Sequence, residues 1–206
     1  MSIYLQGQLK NSTLRDPQSS NPTMGTYYIA NNPERYEPQR SNNFEFVVDF
    51  SNTDLYLPGT NTPLNDSQKI LRVSVTSAPV PHFSQTPITI DRGNNQAKFA
   101  GKPTFGNGPL VVNDYIGDSA KEILVAWQAL SYNVMTEKVG LASDYKKKAT
   151  LIEYTPDLQV VRSWNMYGCW ISGISEDAYN SDQNSKKQTT ATIEYDYAMI
   201  DTSSIQ

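Results

Sequence analysis

Between residues 44 and 50 Phe44, Phe46, Val48 and Phe50 alternate with Glu45, Val47 and Asp49. That is the pattern of a strand with one apolar face. The same alternation closes the chain, where Ala191, Ile193, Tyr195 and Tyr197 oppose Thr190, Thr192, Glu194 and Asp196. Between these ends, Leu71, Val73 and Val75 predict a second strand over 69–77, stopped by Pro79 and Pro81, which cannot donate to a ladder. A short strand over 88–91 runs into the turn residues Asp91-Arg92-Gly93-Asn94-Asn95, and 96–100 returns from it. Residues 101–109 read as irregular and 110–115 as a strand. Residues 149–154 and 158–167 pair as a hairpin across Thr155-Pro156-Asp157.

The period changes once, from Asp118 to about Tyr132. Ser119-Ala120-Lys121-Glu122 fits a capping box, and Ile123, Leu124, Trp127 and Leu130 fall on one face with Lys121, Glu122 and Gln128 toward water. One helix with one apolar stripe is a packing element for a sheet. The expected fold is mainly β, a β-barrel or β-sandwich with one flanking α-helix.

Residues 1–40 are rich in Asn, Ser, Pro and Gln, with Pro22, Pro33 and Pro38 interrupting any ladder, and read as an extended arm. The β domain spans 41–200 and a short tail 201–206. The polar stretch 51–67, punctuated by Pro58-Gly59 and Pro63, is longer than a simple connection and reads either as a loop with a partner to touch or as a free tip.

Of the 206 residues only 38% are hydrophobic and 18% charged, so uncharged polar residues fill the connections. A net charge of -4 argues against a chain that grips nucleic acid, which needs a concentrated basic surface. The basic runs Lys146-Lys147-Lys148 and Lys186-Lys187 read as solvated guards of strand edges. Thirteen Tyr against six Phe suit either interfaces that are dry at one end and wet at the other, or ordinary strands. Cys169, the single cysteine, sits in an apolar stretch and reads as a buried structural thiol. The N-terminus lacks the pattern of a secretory signal, and no apolar run approaches the roughly 20 residues that cross a bilayer. A cytosol-like compartment of synthesis and no membrane insertion are expected, and the acceptor patterns at Asn11 and Asn65 are accidental in that setting.

Chemistry is not written in the motifs. His82, the single histidine, lies between Pro81 and Phe83 with no residues around it to complete a triad. Gly101-Lys102 fails as a phosphate loop, since Gln96 stands where the first glycine is required and Pro103 where Ser or Thr is required. One His and one Cys cannot supply a structural zinc site, and the acidic residues do not follow a calcium-loop spacing. Glu194 and Asp196 share a strand face and imitate a carboxylate pair, which the wet side of a strand explains. No catalytic, cofactor-binding or metal-binding residues are expected, and the chain does not read as an enzyme.

The order of segments resembles phage tail tube proteins. Arg40-Ser41-Asn42-Asn43-Phe44-Glu45-Phe46-Val47-Val48 is similar to that family's opening strand, and Val75-Thr76-Ser77-Ala78-Pro79-Val80-Pro81 to the strand that ends in Ser-Ala and a proline. Asn113-Asp114-Tyr115-Ile116-Gly117-Asp118 followed by the helix around Trp127 resembles the family's strand, aspartate turn and helix. The stretch from Val161 to Ser172 resembles its Gly-aromatic strand, without the proline often found there, and Thr192-Ile193-Glu194-Tyr195-Asp196-Tyr197 the closing strand.

The resemblance covers about 40–200. It implies a ring-forming subunit, hexameric rings stacked into a hollow tube in a virion tail, and DNA passing through without specific binding. The implied partners are further copies, tail sheath, tape measure and baseplate proteins. Related rings occur in type VI secretion, so a tube-initiating or secretion-system ring protein is the near alternative. A carbohydrate-binding or receptor-binding virion β-sandwich is the distant one, because Trp and Tyr stack on sugars. That reading needs exposed aromatics in a cleft, whereas Trp127, Trp164 and Trp170 lie in apolar contexts.

Overall fold

A computed structural model describes residues 37–60, 62–117, 119–182 and 184–201. Most of the expected arm, Asp118 and the tail beyond 201 fall outside those residues. The chain divides into Met1–Ser41 and Asn42–Gln206. In the first unit Arg40 and Glu37 form an exposed ion pair at 3.6 Å. The second unit is the body.

In chain order the body runs β1 (Phe44–Val48), α1 (Ser67–Ser74), β2 (Val75–Ser77), β3 (Phe83–Gln85), β4 (Ile88–Arg92), β5 (Asn95–Phe99), β6 (Pro103–Phe105), β7 (Gly108–Asn113), α2 (Ala120–Ala129), β8 (Tyr132–Asn133), β9 (Lys138–Val139), α3 (Ala142–Tyr145), β10 (Lys147–Tyr154), β11 (Val160–Glu176), β12 (Gln188–Glu194) and β13 (Tyr197–Asp201). The architecture is mainly β and sandwich-like.

Its organising element is β11, 17 residues long. On one side β11 pairs antiparallel with β10 from Val160 to Cys169. On the other it pairs with β13 from Ser163 to Tyr167 and then with β12 from Trp170 to Glu176. One strand therefore belongs to two antiparallel sheets, β1-β10-β11-β13 and β11-β12-β7-β2. The change of sheet falls at Gly168, whose φ of 69° and close approach to the Asp196 carboxylate leave no room for a side chain. Among the described residues the sheets do not close into a barrel: β1, β2 and β13 each pair on one side only.

The apolar alternations of β1, β10, β7 and β12 meet on one core with the helices. Phe46 opposes Leu151 and Val48 opposes Ala149 in register, and all four are buried. Leu110, Val112, Ala191 and Ile193 line the second sheet, and α2 adds Ile123, Leu124 and Trp127. Trp127 is 1% exposed, donates its indole N–H to the Tyr145 carbonyl at 2.8 Å and meets the Phe50 ring edge-on at 5.4 Å. Burial of its ring without loss of the N–H partner is what lets a Trp sit in a core.

The N-terminus of α2 follows half of the expected capping box. The Ser119 hydroxyl accepts from the Glu122 N–H at 3.2 Å, and a carboxylate from outside the helix completes the end: Asp114 Oδ1 accepts from the Ser119 hydroxyl at 3.0 Å and the Lys121 N–H at 3.3 Å. A negative charge there also complements the helix dipole. The helix is shorter than its predicted span, starting at Ala120 and ending at Ala129, with Tyr132 already in β8.

Four expectations are corrected. The strand expected over 69–77 is α1 followed by the three residues of β2. Its buried positions, Ser67, Leu71 and Ser74, have helical spacing, but two of them are small polar residues whose hydroxyls bond backward to Leu64 and Ile70 carbonyls, and Val73 is 70% exposed. α2 is accordingly not a lone helix, because α1 and the single-turn α3 accompany it. The stretch 51–67 is not a bare loop, since Leu55 enters the core, Tyr56 bridges to Pro63, and Ser67 begins α1. The closing alternation breaks at Asp196, so Tyr195 is buried and Tyr197, in β13, is 43% exposed.

Candidate assembly surfaces

The segment from His82 to Phe105 leaves the body as a two-stranded arm. β3 pairs with β6, and farther out β4 pairs with β5 across the Gly93-Asn94 turn. Gly93 has φ 60° while Asn94 does not enter the left-handed region, the signature of a II′ hairpin turn. Between the two ladders the backbones approach so closely that a Cβ on Gly101 would overlap the Thr86 carbonyl oxygen. Every residue from His82 to Ala100 is exposed.

Register sorts the arm into two faces. Ile88 opposes Phe99 and Ile90 opposes Ala97, so these four side chains share a face, while Thr89, Asp91, Gln96 and Lys98 share the other. The apolar face is open: Ile88 is 56% exposed, Ile90 47% and Phe99 55%. A sheet of two strands with nothing against its apolar side is marginal in water.

The base of the arm is held firmly. The Tyr195 hydroxyl donates to the His82 carbonyl and accepts from the His82 N–H, both at 3.0 Å. Phe105 bridges the rings of Phe83 and Tyr195 at 5.7 and 6.0 Å. Burial raises the Tyr195 pKa above the ordinary phenol value, so the hydroxyl keeps its proton for this double bond. His82 thus serves through its backbone.

A second surface lies on the body, a groove of about 800 Å³ between residues 54–60, the outer side of α2, the 130–135 segment and Trp170 of β11. Tyr56, Val134 and Met135 at its border are 50%, 78% and 84% exposed. Asp54 is its one ionisable lining residue apart from tyrosines. The expectation that all three tryptophans sit away from clefts holds for Trp127 and not for Trp170, which is half-buried at this groove. A third surface is the outer edge of β13, where Tyr197, Met199 and Ile200 are exposed.

The residues weighed for chemistry are held apart by separate partners. Glu194 accepts from Asn107 at 2.8 Å and Ser172 at 3.3 Å, while Asp196 pairs with Lys146 at 2.7 Å. Cys169 is buried, and burial pushes its thiol up to about 12. Among the described residues no group of three His, Cys, Asp or Glu side chains is placed to hold a metal, and no helix is long and apolar enough to cross a membrane.

The lysine runs are not edge guards. β10 lies inside its sheet, and its lysines alternate faces: Lys147 is buried with its ammonium on the Thr53 hydroxyl, and Lys148 lies 5.5 Å over the Tyr167 ring. Burial lowers the Lys147 pKa. Lys187 meets Glu176 at 3.8 Å, and Lys121 holds that carboxylate below its usual range through a hydrogen bond.

The local pattern marks β4, β5 and their turn but neither β3 nor β6, which lies in the stretch 101–109 expected to be irregular, and it carries no sign that the arm is left uncovered by its own described body. The apolar Ile88 and Ile90 were visible as a strand face, and no local signal says what covers such a face. The groove had no signature at all, since its walls come from three distant segments.

No protein-family model matches the chain, and no curated protein is similar to it. Solved structures do resemble it. A tube-terminating cap of the anti-feeding prophage is 16% identical with a TM-score of 0.55, over 80% of this chain and 91% of that one. A sheath/tube terminator of an extracellular contractile injection system is 15% identical with a TM-score of 0.55, over 80% and 96%. A chain of the sheath-tube complex of such a system is 15% identical with a TM-score of 0.54, over 84% and 96%. The chain has the fold of these tube-terminating and sheath-tube chains.

Proposed function

We propose that this protein is a non-enzymatic structural subunit of a phage-type tail tube, its copies forming hexameric rings that stack into a conduit for genome delivery. The observation that carries this reading is the arm, an amphipathic two-stranded ribbon whose apolar side nothing in its own described body covers. Such a face finishes its folding against a neighbour. The fold likeness to tube-terminating and sheath-tube chains supports the same reading. Edge strands support it too: among the described residues β1, β2 and β13 each have a neighbouring strand on one side only, and a copy in a ring would lie against the other.

In that assembly the sheath and baseplate are the outer partners, and a tape measure and DNA fill the lumen in turn. A net charge of -4 suits passage of DNA, because a wall with few cationic contacts offers few places to stick. The location is the virion tail, after synthesis in the host cytoplasm.

Negative-stain electron microscopy of the purified full chain, with light scattering across a wide concentration range, tests the proposal. Rings or tubes that grow with concentration are expected. A particle that stays monomeric throughout would sink it. The likeness to two terminators favours a second reading, a ring that caps a tube. Discrete single rings that never stack would select it over the tube subunit.

A further inference from the structure

Resting on the self-association just proposed, we infer that the apolar face of the β4–β5 arm of one copy docks into the groove between 54–60, α2 and 130–135 of the next. The two surfaces fit by chemistry. The arm presents Ile88, Ile90, Ala97 and Phe99 in one plane, with Arg92 at the end of that face. The groove presents Tyr56, Val134, Met135 and Trp170, with Asp54 as its one ionisable residue apart from tyrosines.

Charge runs in the same direction. From Phe83 to Phe105 the arm carries Arg92, Lys98 and Lys102 against Asp91, a net +2 in a chain of net -4, so the remainder carries -6. A basic ribbon on an acidic protein is drawn to another copy's body and repelled by another copy's arm. The contact is heterologous, arm to groove and never arm to arm, so each copy keeps one surface free for the next and the chain of contacts closes into a ring or continues as a filament.

The native cysteine makes the test clean: Cys169 is buried and its thiol protonated at neutral pH, so engineered cysteines react alone. Ile90→Cys and Val134→Cys proteins are prepared separately, mixed at assembling concentration and oxidised mildly. A disulfide-linked dimer is expected to form in the mixture at least roughly tenfold faster than in either protein alone, because docking brings the pair to an effective millimolar concentration. Ile88→Cys with Met135→Cys repeats the test should one variant fail to fold.

If the wild type and the variants form particles by light scattering while the mixture does not cross-link, or if Ile90→Cys links mainly to itself, the arm-to-groove contact is wrong although assembly stands. If the wild type never assembles, the reading beneath the inference fails and the inference falls with it. An oligosaccharide that binds on a glycan array and is lost with Trp170→Ala would also overturn it, by giving the groove to a sugar.

Discussion

The body and the arm are written in the same alphabet and end in opposite states. In β1 and β12 the apolar half of the alternation is sealed: Phe46, Val48, Ala191 and Ile193 are at most 1% exposed. In β4 and β5 the same alternation leaves Ile88, Ile90 and Phe99 about half in water. A strand pattern therefore specifies a face to be covered without saying whether the cover comes from the same chain. The body finds its cover in α1 and α2, while the arm has none within its own described body.

The comparison breaks first at Trp127. Truncation to Ala should cost about 3–5 kcal/mol of stability at dilute concentration, through lost burial and an incompletely collapsed cavity. Chemical denaturation measures it, and an unchanged midpoint would mean that α2 does not seal the body.

The junction between the two regions is the next point of attack. Tyr195→Phe removes the hydroxyl that holds both backbone groups of His82, leaving them to find water, at a cost of about 1–3 kcal/mol. Hydrogen exchange should show faster opening at the arm's base than in β12, and equal protection would separate the arm's order from its anchor.

A smaller effect, of opposite sign, is expected at Lys147. Burial lowers its folded pKa, so between that value and the unfolded value near 10.5 the unfolded chain binds more protons and stability rises with pH. Lys147→Met keeps the stem and removes the charge. It should raise the melting temperature slightly near neutral pH and flatten the alkaline rise relative to wild type. A lower melting temperature across the whole range would show that the bond to Thr53 outweighs the burial.

Smallest in stability and largest in consequence is Ile88→Ser with Ile90→Ser. Both side chains are exposed in the free subunit, so its stability should change by less than about 0.5 kcal/mol per site. Particles in light scattering should be lost. A variant that assembled as wild type would erase the distinction between the sealed and the open alternation.

What could be read from the chain followed the same line. β1, the β10–β11 hairpin and the α2 stripe were legible because local period and local turn residues agree with where their side chains end up. α1 was not, because Ser67 and Ser74 occupy buried positions and Val73 an exposed one, so hydrophobicity alternates where the backbone is helical. The break at Asp196 was hidden for a different reason. A switch of pairing partner along β11 is a nonlocal event, and its one local mark is Gly168, twenty-eight residues from the strand it redirects at Asp196. Of the candidate surfaces, the arm's amphipathic face was legible as a strand, and the groove was not, because no short stretch of sequence contains it.

That shared strand has a mechanical meaning. A strand of 17 residues extends on the order of 55 Å. Tension applied along β11 loads its ladders to β10, β12 and β13 in shear, where backbone hydrogen bonds resist in parallel, and not one after another as in peeling. In any assembly that pulled along this strand, load would pass through continuous covalent chain before a contact between copies had to yield.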